Sequence, residues 1–201
     1  MTEISGRAGR PRDRAADQAI LQAAVELFID HGVEGANFEQ IAKRSGVSRA
    51  TIYRRWNSKE ELLAAALRGT RMPGVATPDS IATMSPRELL DYLANTFTEV
   101  LTRPEFPKFV ARLIGSIPAH PDLLAIYRED FVDPFWRAVS GVLEEARKTG
   151  TLRHIPDQDV LRELLTGAIT HRLLMRTNAP QANKEKEWVE KLMRQVGLEI
   201  D

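Results

Sequence analysis

The 201-residue sequence predicts an all-α protein in which a small N-terminal helical module precedes a larger helical domain. Three observations predict this class. In almost every segment the apolar residues recur at the 3.6-residue period of an α-helix, and no segment alternates convincingly as a strand does. Residues that favour helix N-caps stand at the starts of these periodic segments. A stretch rich in Gly, Pro, Thr and Ser from residue 69 to residue 85 separates the two parts.

Residues 15–69 are predicted to hold four helices, the first of which ends at Gly32. Its buried face comprises Ile20, Ala24, Leu27 and Phe28. Asn37 is predicted to cap the second helix, with Gln40 completing a capping box, and Ser45-Gly46 ends that helix after about two turns.

The third helix is predicted over Arg49–Arg55, with Ser48 as its cap and Trp56-Asn57 as its end. Ser58 and Glu61 form another capping box that opens the fourth helix. The second and third helices are therefore very short and lie only a few residues apart.

The second part of the chain begins with Ser85-Pro86-Arg87-Glu88, which combines an N-cap, a proline at the first helical position and a glutamate at the third. A helix ended by Pro118 follows. A long periodic segment over 121–148 comes next, and Pro134 should kink or split it. The last two helices are predicted over 157–177 and 182–198.

Charge is unevenly distributed along the chain, although its 28 basic and 28 acidic residues cancel. The segment from Lys43 to Lys59 contains six cations and no carboxylate, so the rest of the chain carries 22 basic and 28 acidic residues. Taken alone, such a run is usually a solvated face. Here it coincides with two short helices joined by a tight turn at Gly46, which is the helix-turn-helix arrangement. That conjunction predicts binding to DNA.

In a helix-turn-helix motif the second helix enters the major groove, which is about 12 Å wide, and its N-terminal end meets the base edges. Ser48, Arg49 and Thr51 lie at that end and are the candidate base contacts. Phosphate contacts are predicted for the residues that flank it, namely Tyr53, Arg54, Arg55 and Lys59.

The segment GVEGANFEQIAKRSGVSRATIYRRWNSKEELLAAAL resembles the DNA-binding domain of the TetR (tetracycline-repressor) family of transcriptional regulators. The resemblance covers roughly residues 15–67. It includes the IAxxxGVS turn, the IYxxW-xSKEEL close and the end of the first helix, with Ala24, Leu27, Phe28 and Gly32. By this resemblance Asn37 stands where the family usually has a phosphate-binding threonine. Arg55 and Trp56 depart from the commonest family pattern, and the operator sequence cannot be transferred.

The resemblance implies an N-terminal three-helix helix-turn-helix DNA-binding domain, over residues 15–69, and a larger helical domain for ligand binding and dimerisation, over 70–201. It implies a homodimer, formed through the last two helices, that binds a palindromic double-stranded DNA operator. The expected activity is that of a repressor released by an unknown small-molecule inducer. The alternative for the apolar faces of the last two helices is ordinary intrachain core.

A small-molecule pocket in the helical domain is a further implication of the resemblance. The candidate lining residues are Phe97, Phe109, Leu113, Tyr127, Phe131, Phe135, Trp136 and Leu164, with His171 as a polar contact. Each of them is also compatible with an ordinary position in the core.

Residues 1–14 are predicted to form a flexible basic arm. One interpretation is a solvated tail. The other is that Arg10, Arg12 or Arg14 reaches phosphates or a minor groove when DNA is bound.

No catalytic motif, metal-ligand spacing or cofactor motif is found, and the chain has no cysteine, so an enzyme is not expected. Asp157 and Asp159 fit a helix start better than a carboxylate pair. The beginning of the chain lacks the apolar core of a secretory signal, and no apolar run is long enough to cross a membrane, so a cytoplasmic protein is expected. The alternative function is an architectural DNA-binding protein of the same fold that needs no inducer.

Overall fold

The computed structural model describes residues 14–69, 76–152 and 157–199, and these residues form helices and connecting turns without a strand. The all-α prediction is therefore confirmed. The helices are α1 (Arg14–Gly35), α2 (Phe38–Ser45), α3 (Arg49–Tyr53), α4 (Lys59–Gly69), α5 (Pro78–Ala82), α6 (Pro86–Thr102), α7 (Phe106–Ser116), α8 (Pro121–Tyr127), α9 (Asp133–Lys148), α10 (Gln158–Met175) and α11 (Ala182–Gln195), with a π-helical turn at Arg128–Val132.

The helix ends in the N-terminal part follow the predicted signals. Gly32 has φ 71° and ψ −169°, which interrupts the helical geometry of α1 where its end was predicted. The Asn37 side chain accepts a hydrogen bond from the Gln40 N–H, and the Ser48 side chain accepts one from the Thr51 N–H. Helix α3 ends at Tyr53, two residues before the predicted end, and the chain continues as a turn to Trp56.

Two predictions for the second part are corrected. The stretch from residue 69 to residue 85 contains the helix α5, which Thr77 caps and which buries Ile81 completely. The long segment over 121–148 is divided before Pro134 rather than at it, because the π-helical turn ends at Val132 and Pro134 lies in the first turn of α9. Proline is tolerated at that position, since the first N–H groups of a helix have no partner within the helix.

Two hydrophobic clusters form the core. The first joins the buried faces of α1–α4 but also includes Phe109 and Leu113 of α7 and Leu123 of α8. The second lies among α5, α6, α9, α10 and α11. The N-terminal helices therefore share their core with α7 and α8, and a movement of those two helices would act directly on the packing of α1.

A buried carboxylate joins the last two helices. Glu185 of α11 has a side chain only 4% exposed, and it contacts Arg172 of α10 (2.6 Å) and Arg176, the residue that follows α10 (3.1 Å). Arg176 also donates to the Leu101 carbonyl of α6, and the Arg172 guanidinium lies 4.3 Å from the centre of the Trp188 ring. Opposite charges and hydrogen bonds thus compensate the cost of burying Glu185 and fix α10 against α11.

Candidate nucleic-acid interface

Buried apolar side chains hold the turn between α2 and α3 in place. Ile41 and Ile52 are completely buried, and Val47 is half-buried. Gly46 has φ 69°, and a Cβ atom placed there would meet nothing within 4 Å. Glycine is therefore required for its left-handed backbone conformation rather than for space.

The start of α3 presents polar side chains to solvent. The Ser48 and Thr51 hydroxyls lie 2.9 Å apart and share a hydrogen bond, and Ser48 also caps the helix. Arg49 and Arg54 are exposed and form no ion pair within residues 14–69, 76–152 and 157–199. These two cations are free to meet phosphates or base edges.

Tyr53 at the end of α3 is 53% exposed, yet its ring is supported. It packs edge-to-face on Phe38 of α2, with ring centroids 4.8 Å apart and an interplanar angle of 88°. Edge-to-face pairs of this kind are favourable because the positive ring edge meets the negative ring face. The Tyr53 ring is thereby held against α2 while the residue stays exposed.

Three other cations of the basic segment, Arg44, Arg55 and Lys59, are paired with carboxylates of the same chain. Arg44 lies 3.2 Å from Asp30 of α1. Arg55 forms an ion pair with Asp17 of α1, and its side chain is only 15% exposed. The sequence predicted a phosphate contact for Arg55, whereas the structure places its guanidinium between α1 and the turn after α3. The Asp17 pairing was not predicted, since the two residues are 38 positions apart.

Lys59 at the start of α4 is paired with Glu34. Its Nζ atom lies 2.7 Å from the Glu34 Oε2 atom. Asn37 is exposed at the start of α2, and its side-chain oxygen is used by the cap described above. Asn37 precedes α2 and Lys59 begins α4, and helix N-termini are suited to phosphate.

The predicted pocket residues separate into three groups. Phe109 and Leu113 belong to the first core cluster, where the Tyr127 ring lies 5.7 Å from that of Phe109 and stacks on Phe131 at 5.6 Å. In the second cluster the Trp136 ring contacts those of Phe97 and Phe135, at 6.5 Å and 5.5 Å. Burial raises the pKa of the Tyr127 phenol.

Leu164 and His171 form the third group and lie on the exposed face of α10. The structure does not bring them together with the aromatic residues. His171 instead borders a shallow groove of about 430 Å³ that also includes Gly167, Leu174 and Met175. A second, deeper cleft of about 580 Å³ lies between Met84 and Pro86 on one side and Arg137 and Gly141 of α9 on the other.

Other classes of site are missing from the part of the chain that the structure describes. No helix there is both long and apolar enough to span a membrane. No three His, Asp or Glu side chains there are grouped as metal ligands would be. Arg10 and Arg12 lie outside the described residues, while Arg14 is the first residue of α1.

A short, exposed and partly cationic helix held by a Gly-containing turn against two others defines a helix-turn-helix DNA-binding regulator. The chain belongs to the TetR family. Residues 20–66 match the model of bacterial regulatory proteins of the tetR family, and residues 80–195 match the tetracyclin repressor-like C-terminal domain. The family consists of transcriptional regulators, so the chain is a regulator and not an enzyme.

Individual relatives agree with this placement. The chain is 31% identical over 172 residues to the uncharacterised HTH-type transcriptional regulator YdeS of Bacillus subtilis, covering 86% of this chain and 85% of that protein. Its fold is similar to that of a TetR-family transcriptional regulator from Mesorhizobium loti (TM-score 0.69, 17% identity, 94% and 100% of the chains). It is also similar to that of a transcriptional regulator from Saccharomonospora viridis in complex with choline (TM-score 0.68, 19% identity, 90% and 97%).

Proposed function

We propose that this chain is a homodimeric repressor that binds a palindromic operator and leaves it when a small-molecule inducer binds. The observation that carries the DNA-binding half of this proposal is the surface at the start of α3. There Arg49 and Arg54 are free cations beside the hydroxyls of Ser48 and Thr51, and Tyr53 is fixed by Phe38. Arg49 suits a base edge, whereas Arg54 suits a phosphate oxygen.

The outer face of α10 supports the homodimer. The side chains of Val160, Leu164 and Met175 are about half exposed or more. Together with Gly167 and His171 they follow the helical period along one face of α10. A Cβ atom at Gly167 would meet nothing within 4 Å, so the backbone there is open to close approach by another helix. An exposed apolar stripe on a regular helix is the kind of surface that a second copy covers, through a two-fold axis that pairs the stripe with itself.

Two features support an inducer. The aromatic rings of Phe109, Tyr127 and Phe131 form a contiguous row beside the π-helical turn, and π-helical turns occur frequently at functional sites. The S. viridis regulator, which shares the fold, holds the small molecule choline. We infer that part of the inducer is apolar or packs well on aromatic rings. The candidate contacts are these three rings and those of Phe97, Phe135 and Trp136. To weaken operator binding a hundredfold the inducer must favour the released form by about 2.7 kcal/mol.

We place the protein in the cytoplasm, with the DNA that it regulates. The test is to let the full chain select the sequences that it binds from random duplex DNA. Enrichment of a palindrome whose half-sites are about one helical turn apart is expected. The Arg49→Ala/Arg54→Ala chain is the matched control and should enrich nothing. Failure of the natural chain to enrich any palindrome would overturn the proposal.

The inducer is tested on the selected operator. Small compounds are screened for a rise in the Tm of the chain and for loss of operator binding. A compound that does both is the expected result. If compounds across apolar, aromatic and cationic classes change neither quantity, the chain is an architectural DNA-binding protein without an inducer.

A further inference from the structure

The Glu34 carboxylate lies between the DNA-binding helices and the rest of the molecule. One oxygen, Oε2, contacts Lys59 Nζ of α4 at 2.7 Å. The other, Oε1, lies 3.5 Å from Nε2 of His120, the residue before α8. The Glu34 side chain is 79% exposed, and the hydrogen bond and charge of Lys59 hold the pKa of its carboxyl below the ordinary value. A single carboxylate is thus shared by a predicted phosphate contact and by the C-terminal part of the chain.

The backbone that carries Glu34 is also held from the C-terminal part. The Arg112 guanidinium of α7 donates to the carbonyls of Ile29 (3.4 Å) and Asp30 (3.0 Å) at the end of α1. A cation at the C-terminal end of a helix satisfies free carbonyls and favours the helix dipole. Arg112 also lies over Gly32, since a Cβ atom there would be 3.9 Å from its side chain. Helix α7 and the loop before α8 therefore set the position of the turn that contains Glu34.

Lys59 cannot serve Glu34 and a DNA phosphate equally well at the same time. Exposed ion pairs are weak, so DNA can displace Glu34, but only at a cost in affinity. Whatever moves Glu34 towards or away from Lys59 changes that cost. The residues able to do so, Arg112 and His120, lie outside the helix-turn-helix motif.

We propose that Glu34 is an internal competitor of DNA phosphate for Lys59, and that His120 and Arg112 set how strongly it competes. This inference rests on the proposed DNA-binding function and names a control point for it. When His120 attracts Glu34, Lys59 is released to the phosphate. When α7 or α8 shifts so that His120 is lost as a partner, Glu34 pairs more firmly with Lys59 and DNA binding weakens.

The experiment measures the Kd of the full chain for its selected operator across a range of salt concentrations. Glu34→Gln should tighten binding about two- to fivefold for each subunit and steepen the salt dependence by about 0.9 per subunit, because Lys59 then binds phosphate without a competitor. The matched control is Glu60→Gln, which removes the same charge from an exposed position beside Lys59 and should change the Kd less than twofold. Because Glu34 is exposed, the Tm of each variant should stay close to that of the natural chain.

The dependence on Lys59 is tested with the double variant. In a Lys59→Gln background, Glu34→Gln should leave the Kd unchanged. An equal gain in both backgrounds, or equal gains from Glu34→Gln and Glu60→Gln, would overturn the inference and leave the proposed function standing. If the natural chain binds no duplex, the proposed function itself has failed.

His120→Ala tests the connection to the C-terminal part. This variant should weaken operator binding about twofold, because Glu34 loses its contact with His120 and then pairs more firmly with Lys59. The effect should vanish when Glu34→Gln is also present. Tighter binding by His120→Ala, or a loss that persists without Glu34, would contradict the assigned role of His120.

Discussion

The Tyr53 ring meets the Phe38 ring edge-to-face across the α2–α3 turn, with 4.8 Å between the centroids. The contact separates two roles of Tyr53, since the ring packs within the motif and the hydroxyl is available outside it. Tyr53→Phe keeps the ring and removes only the hydroxyl.

We expect Tyr53→Phe to reduce operator affinity about tenfold without changing the Tm, because the proposed hydrogen bond to a charged phosphate is lost while the packing remains. Tyr53→Ala should lower both. Affinity can be measured by fluorescence anisotropy and the Tm by calorimetry. Equal affinity of Tyr53→Phe and the natural chain would show that the hydroxyl does not contact DNA.

Arg49 and Arg54 are both free cations near α3, but their expected roles differ. Arg49→Ala should relax base preference, because it removes the side chain proposed to meet base edges. Arg54→Ala should weaken binding to all sequences alike and flatten the salt dependence by about one contact. Competition assays with operator and random duplex at several salt concentrations distinguish the two. Identical behaviour of the variants would contradict these roles.

Leu164 on the outer face of α10 is 49% exposed in the single chain. Leu164→Glu should convert the proposed dimer to a monomer, because it would place two charges near the two-fold axis of the proposed apolar interface. Ile114→Glu on α7, where the side chain is 42% exposed, is the matched control and should leave the dimer intact. Sedimentation velocity measures both. A dimer that survives Leu164→Glu would place the interface elsewhere.

Glu185 is the carboxylate on which Arg172 and Arg176 converge. Glu185→Ala should cost about 3 kcal/mol, because it leaves two partly buried guanidinium groups without their counter-charge, and the Tm should fall roughly 6–12 °C. Glu187→Ala, which breaks an exposed pair with Lys191, should change the Tm little. Thermal unfolding of the two variants at one protein concentration is the measurement.

The capping box of α6 gives a pH dependence. Hydrogen bonds from the Ser85 side chain and backbone hold the pKa of Glu88 below its ordinary value of 4.5. A carboxyl whose pKa is lower in the folded chain stabilises it above the unfolded pKa, and this stabilisation is lost as the pH falls through the folded pKa. The Tm of Glu88→Gln should therefore fall less between pH 5 and a pH of about 3 than the Tm of the natural chain does. Glu60→Gln, which changes an exposed carboxylate, should show the same fall as the natural chain.

Local features of the fold were predictable from the sequence. The caps at Asn37, Ser48, Ser85 and Asp157 are confirmed, because each depends on one side chain and a backbone N–H two or three residues later. The position of Gly32 as a helix end is confirmed for a similar reason.

Pairings across the fold could not be predicted in this way. Whether Arg55 faces DNA or Asp17, and whether Lys59 is free or paired with Glu34, depends on how α1 packs against α4, and no local pattern records it. The small helix α5 escaped prediction because its five residues are too few to show a period. Leu164 has the helical spacing of a core residue, but that spacing does not distinguish a buried face of a helix from an exposed one.

The π-helical turn at Arg128–Val132 makes the orientation of α8 relative to α9 depend on the number of residues in this segment as well as on their identity. The Asp133 N–H bonds to the Arg128 carbonyl five residues earlier, so the turn contains one residue more than an α-helical turn would. A chain shortened by one residue here could run from α8 into α9 as a single helix. A π-helical turn covers about the same rotation as an α-helical turn, so such a deletion would leave the side chains of α8 in place. If the full-length segment instead formed a regular α-helix, the side chains before the turn would rotate by about 100° relative to α9. Tyr127 would turn away from Phe109, and α8 would lose its fit to the core that it shares with α1.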